Sequence, residues 1–155
     1  MDKFVADANT GLRMLVGDAD LNAAKTPEQR TEILKMNHYS LRLMAEVDEG
    51  RTTLVFDDSV IEEMVFTLRS YYKLPRDEIS KSLLLLMEAD NVETSELIRD
   101  TIRLYGTMNI DVVDIKLSLL SKQLNVPVLT WDRDFFKLNC EHFAPSDIIN
   151  LEQTE

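Results

Sequence analysis

The chain has 155 residues, 45% of them hydrophobic, which is the size and apolar content of one globular domain spanning 1–155. No run nears the roughly 18 apolar residues of a membrane span and no secretory leader layout opens the sequence, so a soluble, cytoplasmic protein is expected; a single cysteine, Cys140, excludes an internal disulfide and a thiolate zinc cage. With 28 acids against 17 bases the net charge is -11, which argues against gripping nucleic acid by general attraction but suits carboxylates clustered around a hard divalent cation.

Short apolar or β-branched runs predict strands at 4–6, 53–56 and 126–130, with a weaker one at 148–151. Between them lie helical patterns. The first, GLRMLVGD, follows Asn9. The second has Thr26 as cap, Pro27 in first position, Gln29 completing a capping box and Gly50 as stop. After the second strand, Val60, Ile61, Met64, Val65 and Leu68 share one helical face, and another helix begins after Pro75. TSELIRDTIRLYG ends at Gly106, and DVVDIKLSLLSKQLN repeats apolar residues at Val113, Leu117, Leu120 and Leu124. Strands alternating with amphipathic helices predict an α/β fold: a mostly parallel sheet covered by helices on both faces, with sites outside the carboxyl ends of its strands.

Acids fall at those ends. Asp7 follows Phe4-Val5-Ala6 directly; Asn9 is the more natural helix cap, which leaves Asp7 for other work, with an N-cap role as its competing reading. Glu62 pairs with Ser59 as a capping box, so Glu63, on the flank of the apolar face beside Thr67, is the functional candidate there. Asp111 stands where a cap belongs, and Asp114 is then the third helical residue and the better candidate for chemistry. Asp132 ends the run VPVLT, with Thr130 able to donate a hydrogen bond. Like charges about 5 Å apart repel by roughly 3 kcal/mol per pair at an effective dielectric of ~20. Four acids in one pocket therefore require either steeply raised pKa values or bound divalent cations, and an all-oxygen set suits Mg²⁺ or Mn²⁺ rather than zinc.

The segments FVADAN, SVIEEMVFTLRSYYKLPRDEI and IDVVDIKLSLLSKQLNVPVLTWDRDF resemble, in order and spacing, the successive motifs of PIN-domain ribonucleases, in particular the VapC-type toxins of prokaryotic toxin-antitoxin pairs. The resemblance covers most of the chain. It sets the first acid on Asp7, the helix glutamate on Glu63, the third acid on Asp114 and the last on Asp132, with Asn9, Asp111 and Thr130 at supporting positions. It implies a three-layer α/β/α sandwich with a central mostly parallel sheet, Mg²⁺ or Mn²⁺ dependence, hydrolysis of RNA phosphodiester bonds, a homodimer and inhibition by a cognate antitoxin protein. The chain departs from the pattern at Ala8, where threonine is common, at Trp131, where phenylalanine is usual, and in a longer helical segment from about 20 to 49.

Arg13, Lys116 and Arg133 are the candidate phosphate contacts, each with a solvated or ion-paired surface role as its bland counterpart. The competing function is a binding module, for which Tyr39, Leu43, Tyr71 and Tyr72 would form a partner surface. An aspartyl phosphatase is a weaker third, because Asn9 occupies the place of its second aspartate and no suitable lysine motif is evident.

Overall fold

The computed structural model describes residues 2–153. The chain is mixed α/β and mostly helical, in the order β1 (Asp2–Val5), α1 (Ala8–Ala23), α2 (Pro27–Asp48), β2 (Thr52–Val55), α3 (Asp58–Ser70), α4 (Arg76–Met87), β3 (Val92–Glu93), α5 (Glu96–Tyr105), α6 (Val112–Leu124), β4 (Val128–Leu129), β5 (His142–Phe143) and α7 (Pro145–Ile148), with 3₁₀ turns at Arg133–Leu138 and Leu151–Gln153. Among the described residues all strand pairs are parallel, in two small sheets. β1, β2 and β3 form one, with Val5 opposite Val55 and Val55 opposite Glu93; β4 and β5 form the other, with Leu129 opposite Phe143.

Helix starts follow local chemistry. Thr26 accepts a hydrogen bond from the Gln29 amide and Pro27 opens α2, while Gly50, at φ 75°, turns the chain back into β2 as only a residue without Cβ does readily. The Ser59–Glu62 capping box does not form. Asp57, two residues beyond the strand, accepts from the Ser59 amide at 3.0 Å and from its hydroxyl, so α3 already begins at Asp58. The strand expected at 148–151 is also replaced: Pro145 fixes a helical φ and the Asp147 carboxylate accepts from the Ala144 amide at 2.7 Å, which nucleates α7 instead. β3 and β5, two residues each, carry too little pattern to be read from sequence.

The core gathers where α3, α4, α5 and α6 close on β2. Ile61, Met64, Leu68, Ile79, Leu83, Ile98, Ile102 and Ile115 have no accessible surface, and Leu54 and Phe56 of the β2 segment lie among them. Gly11 lets α1 approach this core: a Cβ there would stand 2.6 Å from the Met64 methyl. Two polar devices hold the periphery. Tyr72 donates to Asp20 at 2.6 Å while Arg13 pairs with the same carboxylate at 2.8 Å, joining α1 to the chain beyond α3. Arg76 lies 4.2 Å above the Tyr105 ring and donates to the carbonyls of Met108 and Ile110, pinning the loop that delivers α6.

Two surfaces are unlike a finished α/β core. Every residue of β1 is exposed, Phe4 at 54% and Val5 at 78%, although parallel strands are normally covered on both faces. α6 buries Val112, Ile115, Ser118 and Ser121 and turns the stripe expected to be its core face, Val113, Leu117 and Leu124, toward water.

Candidate functional site at the carboxyl edge of the parallel sheet

β1 and β2 end side by side, and each passes through one further apolar residue into a helix-capping aspartate. Ala6 extends the ladder to the Val55 carbonyl at 2.9 Å, and Phe56 does the same to Glu93, so Asp7 and Asp57 emerge on one edge. Asp7 is the cap of α1: it accepts from the Thr10 amide at 2.8 Å. The expected cap, Asn9, is instead an exposed residue of the first turn, because Asp7 takes extended backbone angles and already satisfies an orphan amide there. The Thr10 hydrogen bonds draw the Asp7 carboxyl below its ordinary range, so it stays ionised. Bonds from the Ser59 hydroxyl and amide do the same for Asp57, assisted by the charge of Lys116. After β3, the Ser95 hydroxyl caps α5 through the Ile98 amide and donates to Asp58 at 2.6 Å.

The middle candidates belong to α3 and α6, which pack together. Glu62 and Lys116 form an ion pair between them, each side chain about four-fifths buried. Glu62 thus has the structural role expected of it, through α6 rather than through a cap, and Lys116 is already engaged. Glu63 beside it is exposed. Asp111 caps α6 by accepting from the Val113 amide at 2.9 Å, and Asp114 is the third residue of that helix, half-buried. Of the other bases, Arg13 is held by Asp20 and Arg133 is exposed.

Asp132 is reached from the other sheet. It follows β4 and is exposed, and the Thr130 hydroxyl, expected to donate, accepts from the Asp132 amide at 2.9 Å in a local turn. β4 pairs only with β5 among the described residues, so no ladder ties Asp132 to the edge carrying Asp7. The donor chemistry of Asp7, Glu63, Asp114 and Asp132 suits a hard cation; their arrangement does not yet make its site, since no three His, Cys, Asp or Glu side chains among the described residues are grouped to hold a metal ion.

Sequence reading missed Asp57. Its signal was present: TTLVFDD is an apolar run stopping at an acid in the same way as KFVAD. No family model, curated protein or solved structure matches the chain. No helix among the described residues is long and apolar enough to cross a membrane.

Proposed function

We propose that this chain is a Mg²⁺- or Mn²⁺-dependent ribonuclease that hydrolyses RNA phosphodiester bonds and acts as the toxin of a toxin-antitoxin pair. The observation that carries the reading is the common edge: β1 and β2 end in register, and the helices bearing Asp7 and Glu63 begin there, with the α6 helix of Asp114 tied to α3 by Glu62 and Lys116. The motif resemblance supplies the activity.

The reading includes a single central sheet. In it β4 lies against the open edge of β1, giving the three-layer α/β/α sandwich and carrying Asp132 to Asp7. The support is physical: β1 leaves Phe4 and Val5 in water, β4 and its flank leave Leu129 and Trp131 more than half exposed, and among the described residues both strands pair in parallel on one side only. Joining such edges satisfies backbone groups and buries apolar side chains together.

A bound hard cation would supply a more acidic water and neutralise charge on the phosphate. The chain's own contribution is to keep Asp7 ionised through Thr10, to fix the opening of α6 through Asp111 and the Arg76-held loop, and to align α3 with α6. Neither histidine is needed as a base: His38 is exposed, and the His142 ring lies 3.0 Å from the Cys140 carbonyl.

Incubation of a mixed RNA pool with the purified chain tests this. Cleavage should require Mg²⁺ or Mn²⁺, stop with EDTA and disappear in Asp7→Asn; metal-independent cleavage, or full activity in that variant, contradicts it. The second reading, a binding module without nuclease activity, is favoured by α2, which buries only Val47 and exposes Leu34, Tyr39 and Leu41. Within the nuclease reading this same helix is the surface proposed for the homodimer or the antitoxin.

A further inference from the structure

A groove of about 610 Å³ runs between α5 and α6. Half-buried Leu97, Leu119 and Leu120 supply its apolar surface, while Glu96, Asp58 and Asp100 stand along it, Asp100 paired with Arg103 at 2.6 Å; no lysine or arginine is among the described residues that line it. Charge decides what fits. A second copy would bring the same acidic rim against this one, and each chain already carries -11. RNA and an anionic lipid surface are repelled for the same reason. A helix with leucines on one face and lysines or arginines beside them satisfies both parts, apolar against apolar and cation against carboxylate. We propose that the α5–α6 groove docks a basic amphipathic helical segment of a partner protein. This docking does not depend on nuclease activity, although Asp58 and Ser95 place any occupant beside the carboxyl edge.

The test titrates the full chain with a fluorescently labelled synthetic peptide carrying leucine and lysine at helical spacing, and with its glutamate counterpart, following anisotropy. The lysine peptide should bind and the glutamate peptide should not. Glu96→Lys with Asp100→Lys should weaken binding roughly tenfold or more. Leu120→Ser, which leaves every charge in place, should also weaken it and serves if the double variant does not fold, as judged by circular dichroism. Glu141→Lys with Glu152→Lys, both exposed and outside the groove lining, changes net charge equally and should leave affinity within about twofold, since exposed charges outside a contact contribute little. Equal weakening by this control variant, or no binding by the wild type, overturns the proposal. So does sedimentation showing a dimer that Leu120→Asp dissociates, because the occupant is then a second copy.

Discussion

Asparagine and aspartate cap a helix about equally well, and at position 7 that equivalence separates two roles. Asp7 holds the Thr10 amide, so Asp7→Ala should lower the melting temperature by a few degrees, whereas Asp7→Asn should leave it nearly unchanged while removing the charge that the proposed cation would need. A thermal melt of the two variants checks this; equal losses contradict the capping account. The depressed carboxyls of Asp7 and Asp57 also set a pH dependence. Their folded values lie below the ordinary carboxylate value, so their contribution is present above pH about 4 and is lost as pH falls through the folded values, where melts should show declining stability. Tyr72 runs the opposite way: burial, then its bond to Asp20, raises its phenol, so that contribution is intact below about pH 10 and is lost as pH rises beyond it. Tyr72→Phe should cost about 1 kcal/mol in urea unfolding at neutral pH and flatten the alkaline decline. Unchanged stability would show that the Tyr72–Asp20 bond does not fasten α1 to the chain beyond α3.

Elements differ in how legible they were. α2 was readable because Thr26, Pro27 and Gly50 are local signals acting on their own helix ends; the expected capping box is only half made, since the Gln29 side chain accepts from the Lys25 amide at 3.0 Å rather than from that of Thr26. α3 was readable in its face, since Ile61, Met64, Val65 and Leu68 are all buried, but not in its start, because Ser59-x-x-Glu62 and Asp57 are both valid caps and only the end of β2 chooses between them. α6 reversed its expected face: leucine spacing marked Val113, Leu117 and Leu124, yet Val112, Ile115, Ser118 and Ser121 are inside, the two serines where small side chains permit close packing. Hydrophobic periodicity cannot report a face chosen by side-chain size. The approach of α1 to α3 is a second close contact, and Gly11→Ala should cost about 1 to 3 kcal/mol, read by urea unfolding, because the added methyl meets Met64 and Phe56. A loss near zero would mean that the Met64 side chain simply moves aside.

At the scale of the whole molecule, strand order is what sequence could not supply. Alternation of strands and helices predicted parallel pairing, and every observed pair is parallel, but β4 joining β5 rather than β1 depends on contacts between distant segments. Three of the four candidate carboxylates belong to helices rooted at or tied to one edge; the fourth, Asp132, waits on that junction. The acidic balance has two proposed outlets, a cation at the carboxyl edge and a basic partner in the α5–α6 groove. Asp132→Asn is the informative variant, because its effect on a cation requires the two sheets to come together. The decisive measurement is the affinity for Mn²⁺, read by electron paramagnetic resonance, of the wild type, Asp7→Asn and Asp132→Asn. The account predicts a bound ion in the wild type that either substitution releases. Mn²⁺ held equally by all three, or by none, would contradict it.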